Sequence, residues 1–442
     1  MKVLMLGWEL PPAISGGLGT ACKGIADSLA SNNINLTFVI PSNRGEKTAL
    51  DRRIRVISAD KYHPAEALIK KTTLKNGYAA KSYPGTGTSL SPYHTSYTTC
   101  EKGYPECAGN RDEILALIEN QQNLGSILHF TGNYGKNLFD EVMNYSSVGS
   151  ALGAVETFDV IHAHDWMTYP AGICAKKVSK KPLVIHVHAT EYDRSWSGAN
   201  REIVRIEKKG MEIADKIITV SHYTKNMVIN KYGINPEKIE VVHNAVSKDI
   251  QFSRYQIRKN FSEKIVLFLG RITSQKGPEY FLEAAVKVLN KMNNVRFVMS
   301  GNGDLFPGMI TKMAEYDIAE KFHFTGFLKG AEVEKIFAMS DLYIMPSVSE
   351  PFGLSPFEAL LYDVPVIISN QSGAAEILTH AYKVDFWDTD KLAKAIISLL
   401  ENEELRSEIV KECKEDIKSI SWDTAGKRIA EIYCSLCGKT AV

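Results

Sequence analysis

The chain has 442 residues, 44% hydrophobic and 23% charged, which is ordinary globular material and long enough for two separate cores. Lys and Arg total 52 against 51 Asp and Glu, a net charge of +1. That balance excludes the electrostatic footprint of a nucleic-acid binder, and no apolar run approaches the length of a transmembrane helix.

MKVLMLGW opens the chain directly on a strand-like run with no leader-like segment ahead of it. The seven scattered cysteines suit a reducing compartment, so a cytoplasmic location is expected. Cys434 and Cys437 form a lone CxxC without a second pair or a neighbouring His, which fits neither a zinc site nor a thioredoxin-like pair. The Lys pairs at 176–177 and 180–181 read as solvated faces, with a peripheral membrane patch as the alternative.

Apolar runs predict strands at 3–8, 36–40, 54–58, 160–164, 183–188, 217–221 and 240–244. A second series follows at 265–270, 295–300, 323–327, 342–347 and 364–369. Helical patterns, such as 277–292 and 390–400, separate them. Strands alternating with helices at this spacing predict an α/β chain with parallel sheets. Each half begins with a strand, a glycine-containing loop and a helix, so the expected architecture is two doubly wound Rossmann-like domains. The polar stretch from Ala245 to Phe252 places the join, giving domains at 1–247 and 248–420. Residues 421–442 are helical in pattern, with the option of crossing back onto the first domain. Residues 76–111, rich in Gly, Ser, Thr, Pro and Tyr, break the pattern. Their composition reads as disorder, with an aromatic acceptor-binding loop as the alternative.

Several loops carry candidate chemistry. Gly16 and Gly17 lie between the first strand and its helix, where backbone N–H groups can approach an anion. The loop is neither a dinucleotide fingerprint nor a P-loop, and a plain packing turn is the competing explanation. Arg271 and Lys276 occupy the loop after the first strand of the second half, placed to clamp a diphosphate. HAHDWMTYP and IHVHATEYDRSW bring His164, Asp165, Trp166, His188, Glu191, Asp193 and Trp196 towards the carboxyl edge of the first sheet. His, carboxylate and indole groups there suit hydrogen bonding and stacking on sugars.

SVSEPFGLSPFEAL places Glu350 and Glu358 on either side of a strand-to-helix turn. Ser355 and Glu358 have capping-box spacing, with Pro356 at the first helical position. Asp388-Thr389-Asp390 looks like a metal-binding DxD, but its place before an amphipathic helix is better explained by N-capping. No ligand spacing for a divalent ion is seen, so neither metal nor cofactor is expected.

Glu350 with Glu358, Arg271 with Lys276-Gly277, HAHDW and HATEYDRS together resemble the retaining glycosyltransferases of family 4, in order and spacing over nearly the whole chain. The resemblance implies a GT-B fold, two Rossmann domains facing across a cleft, with a nucleotide sugar and a carbohydrate acceptor as partners. Glu358 would hold the ribose and Glu350 would lie by the donor sugar. Arg271 and Lys276 would neutralise the diphosphate, joined by the backbone around Gly16, Gly17, Gly353, Leu354 and Ser355. Asp165 and His188 would contact the sugar near its reacting carbon, and Trp166, Glu191 and Trp196 are candidates for the acceptor side.

Glycogen and starch synthases carry a lysine where this chain has Ile14, two residues before the glycine pair. UDP-glucose and ADP-glucose are therefore both open as donors. A glucan or oligosaccharide acceptor leads. A lipid or cell-envelope acceptor and a silent sugar-nucleotide-binding module are the alternatives.

Overall fold

The computed structural model describes residues 1–11, 16–45, 50–62, 130–132, 134–135, 137–195, 198–246, 259 and 261–439. Residues 76–111, Ile14, Trp196 and the predicted join at 247/248 lie outside the described residues.

The described chain forms two wholly parallel sheets. The first contains β1 (Lys2–Leu6), β2 (Asn35–Ile40), β3 (Ile54–Ser58), β4 (Val160–His164), β5 (Leu183–Val187), β6 (Lys216–Thr219) and β7 (Ile239–Val241), in the order β3-β2-β1-β4-β5-β6-β7. The second contains β8 (Lys264–Leu269), β9 (Val295–Ser300), β10 (Phe322–Gly326), β11 (Leu342–Met345), β12 (Val366–Ser369) and β13 (Tyr382–Val384), in the order β10-β9-β8-β11-β12-β13. These are two doubly wound Rossmann-like units. In each, the winding reverses between the first strand and the fourth, which opens a crevice at the carboxyl ends of β1 and β4 and of β8 and β11.

The central strands are buried along their whole length because helices cover both faces. On β4 and β5 the alternation separates two cores. Ile161, Ala163, Leu183 and Ile185 join one, while Val160 and Val184 join the other. The second core is closed by the Gly17–Ser31 helix and by the Trp422–Cys437 helix, which returns from the second domain to the first. Ile429, Ile432 and Tyr433 fill this core. Close approach of the two helices depends on glycines. A Cβ on Gly24 would lie 2.3 Å from the Trp422 ring, and one on Gly426 would lie 2.0 Å from Ser28 Oγ. Arg428 pairs with Glu240 at 3.0 Å and Lys439 with Asp159 at 3.0 Å, anchoring the helix near its middle and just past its C-terminus.

No helix among the described residues is long and apolar enough to cross a membrane. Asp388 caps the Thr389–Glu401 helix, accepting from Lys391 N at 2.9 Å. The capping box at Ser355 does not form. Leu354 already has helical torsions (φ −78°, ψ −32°), so the Ser355–Leu361 helix starts with Ser355 inside it and Pro356 second. No side chain caps that helix.

Candidate active site

The first-domain half of the site is built at the ends of β4 and β5. Asp165 follows β4 directly with φ 59°, a left-handed conformation that a non-glycine residue holds only when its surroundings enforce it. Asp165 Oδ1 accepts from the amides of His188 (2.7 Å) and Ala189 (3.3 Å), and Arg194 reaches Oδ2 at 3.3 Å. The carboxylate thereby ties two strand ends together and holds His188 beside it. His164 Nδ1 faces His188 Nε2 at 2.9 Å. Burial lowers the pKa of His162 to about 3 and depresses those of His164, His186 and His188, so these imidazoles are neutral.

The other first-domain candidates point inward. Trp166 is buried against Phe139, with ring centroids 5.5 Å apart. Glu191 is buried and accepts from Asn200 N at 3.0 Å. Asp193 accepts from Thr190 N (2.7 Å) and Thr190 Oγ1 (2.8 Å), the capping box of a short turn of helix. Its second oxygen faces the other domain.

In the second domain, Gly277 turns the chain after Lys276 at φ 66°, with Pro346 O only 2.2 Å from where a Cβ would be. Only glycine fits that approach, which brings the loop after β8 against the loop after β11. Lys276 Nζ forms an ion pair with Glu350 Oε2, and Ser347 Oγ donates to the same oxygen at 3.1 Å. Arg271 donates to Gln275 Oε1 at 3.0 Å, and Gln275 Nε2 donates to Ser349 O at 3.1 Å. Gly353, at φ 87°, lets the chain pass Met345 and Glu350 before the helix begins. Glu358 is half-buried, and its carboxyl makes no hydrogen bond or ion pair among the described residues. Burial alone raises its pKa.

The two halves meet. Ser349 Oγ donates to Asp193 Oδ1 at 2.6 Å, and Tyr223 OH lies 2.9 Å from Ser349 Oγ. Ser221 Oγ donates to Pro351 O at 2.5 Å. Glu376 accepts from the amides of His222 (2.9 Å) and Tyr223 (2.6 Å), at the N-terminus of the His222–Tyr232 helix, and from His243 Nε2 at 3.0 Å. This seam sets the Glu350 loop against the edge that carries Asp165 and His188.

Sequence reasoning missed Glu9. It lies just past β1, takes the Gly19 amide at 3.0 Å and a hydrogen bond from Tyr134, and lies 2.9 Å from where a Gly16 Cβ would stand. Burial raises its pKa, with Arg271 and Asp165 both close enough to act on it electrostatically. The signal was available, as a carboxylate directly before a glycine loop at a switch point. Also missed was the clustering of His162, His164, His186 and His188.

Facing Rossmann domains with their switch-point loops turned towards each other define the GT-B class. The chain belongs to the family 4 glycosyltransferases, with residues 249–416 matching the family described as Glycosyl transferases group 1 and residues 125–249 matching Glycosyltransferase Family 4. It is 26% identical over 456 residues to MJ1607 of Methanocaldococcus jannaschii, named an uncharacterized glycosyltransferase, with 98% of each chain covered. It is 25% identical over 451 residues to the glycogen synthase of Mycobacterium tuberculosis, covering 98% of this chain and 94% of that one. The fold superposes on HepE of Anabaena, solved with UDP and glucose, at a TM-score of 0.66 and 16% identity, covering 98% of this chain and 100% of the other.

Proposed function

We propose that this glycosyltransferase moves a hexose, glucose first, from UDP- or ADP-glucose to a glucan or oligosaccharide with retention at the anomeric carbon. The observation that carries the reading is the Lys276–Glu350 pair, with Arg271 beside it, at the second-domain switch point, set against the Asp165–His188 edge through Asp193 and Ser349. Arg271 and Lys276 meet the diphosphate, and Glu350 turns to the sugar once Lys276 changes partner. The unpartnered carboxyl of Glu358 accepts from ribose hydroxyls. Backbone amides around Leu354 and Ser355 complete the anion site, and those at Gly16 and Gly17 close it from the first domain.

As the bond from the anomeric carbon to the phosphate oxygen breaks, negative charge grows on the leaving diphosphate. With both cations already on the bound diphosphate, they stabilise that charge as it grows, and this is the main catalytic term in the proposal. The acceptor hydroxyl attacks from the same face and passes its proton to the departing phosphate oxygen. Asp165 and His188 hold the sugar side, and contact between the domains excludes water.

The test is release of nucleoside diphosphate from a panel of UDP-, ADP- and GDP-sugars, with and without glycogen, and with and without added Mg²⁺ or Mn²⁺. Glycogen-stimulated release from UDP- or ADP-glucose that needs no added metal supports the reading and names the donor. Slow hydrolysis of one donor without stimulation keeps the enzyme class and overturns the glucan acceptor. No release from any donor overturns the catalytic reading.

A further inference from the structure

β4 and β5 carry histidines at alternating positions, His162 and His164 on the first, His186 on the second and His188 just past its end. Parallel pairing sets His164 opposite His186, and the two-residue period turns all four to one face. Ring centroids lie 4.2 Å apart for His162 and His164, 5.3 Å for His162 and His186, and 4.3 Å for His186 and His188. His162, His164 and His186 are at most 1% exposed.

Such a cluster has an unmet requirement. Nε2 of His162, Nε2 of His164, both nitrogens of His186 and Nδ1 of His188 are buried without a hydrogen-bond partner among the described residues. Buried polar groups in native proteins are nearly always satisfied, and a group of orphans in one place calls for a ligand. The nitrogens that do have partners prepare the others. His162 Nδ1 lies 2.5 Å from the Tyr433 hydroxyl and His164 Nδ1 lies 2.9 Å from His188 Nε2. In the tautomer in which Nδ1 donates in both contacts, each Nε2 presents a lone pair, the arrangement that orients metal-binding imidazoles.

We propose that His162, His164 and His186 bind a divalent first-row metal ion, zinc by preference, inside the first domain. One ring nitrogen from each lies within 4.8 Å of the others. Tetrahedral zinc with bonds of about 2.0–2.1 Å needs its nitrogens about 3.3 Å apart, so the stacked rings, with 9° between the planes of His162 and His186, would turn about their side-chain bonds as the ion binds. An all-imidazole set without carboxylates selects zinc, cobalt or nickel over magnesium or calcium. Cys22, which forms a second triplet with His164 and His188 within the same distance, is at hand for the fourth position. The ion would tie β4 to β5 below Asp165 and, through His162 and Tyr433, fix the returning C-terminal helix. Its role is structural and separate from the diphosphate clamp, which belongs to the second domain.

The experiment uses the full chain expressed with zinc supplementation and desalted, and reads metal content by mass spectrometry and the ligand shell by zinc-edge X-ray absorption. The expected result is about one zinc per chain with imidazole scattering in its first shell. The content should fall at least severalfold in His162→Gln/His186→Gln. Zinc below about 0.1 per chain, or a shell without imidazole, overturns the proposal. So does unchanged content in a folded double variant, which would place the ion elsewhere. If the variant does not fold, absorption by the wild-type protein decides alone.

Discussion

Lys276 and Glu350 are paired across the β8–β11 crevice, their side chains 22% and 8% exposed, although 74 residues separate them in the chain. Ser347 supports the same carboxylate oxygen. The pair holds the ammonium in place but occupied, so the diphosphate of the proposed donor would compete with Glu350 for it. Removing the carboxylate's charge ends that competition. Glu350→Gln is expected to bind UDP or ADP severalfold more tightly while kcat falls about 100-fold, because the proposed sugar contact would be lost. Calorimetry with the free nucleotide and steady-state kinetics on the same variant check both halves.

The interdomain seam should respond to acid. Burial pushes the Glu376 carboxyl up, but hydrogen bonds from His243, His222 N and Tyr223 N outweigh it and leave the pKa lowered. A depressed carboxylate contributes stability that is present above its ordinary value near 4.5 and lost as pH falls through the folded value. Small-angle scattering is expected to show a larger radius of gyration once pH drops below that range, and Glu376→Gln should show part of the expansion at neutral pH. An unchanged radius in both would remove Glu376 from the seam's energetics.

Glu207 works in the opposite direction. Its burial raises the pKa to about 8, only partly offset by Arg194, Tyr232 and the Glu191 amide. A raised carboxyl favours the fold below its ordinary value near 4.5, and that contribution is lost as pH climbs through about 8. Thermal midpoints should therefore decline between about pH 5 and 8, and Glu207→Gln should flatten the decline.

Helix packing gives a prediction that reverses the usual rule. Gly→Ala within a helix ordinarily stabilises by about 1 kcal/mol. At Gly24 the new methyl would lie 2.3 Å from the Trp422 indole, so Gly24→Ala is expected to cost about 1–3 kcal/mol in denaturant unfolding. Adding Trp422→Leu to Gly24→Ala should recover part of the loss.

The strands and the crevice were legible because apolar runs, glycines and charges mark strand ends. β13 was not, since three residues, Tyr382–Val384, carry no periodic signal. Sequence placed Trp166 and Glu191 at a carboxyl edge without showing that both side chains are buried. The capping box at Ser355 had the right spacing, but spacing does not report where helical torsions begin. The histidines were visible as HAH and HVH, yet their meeting depends on which strand lies beside which, and that is settled by the winding of the sheet.

Lys276→Gln asks whether Lys276 and Arg271 neutralise the donor diphosphate as proposed. The amide can still donate to Glu350, so the thermal midpoint should stay close to wild type. Release of nucleoside diphosphate from the preferred sugar donor is expected to fall about 10²–10³-fold. Wild-type release by the folded variant would contradict it.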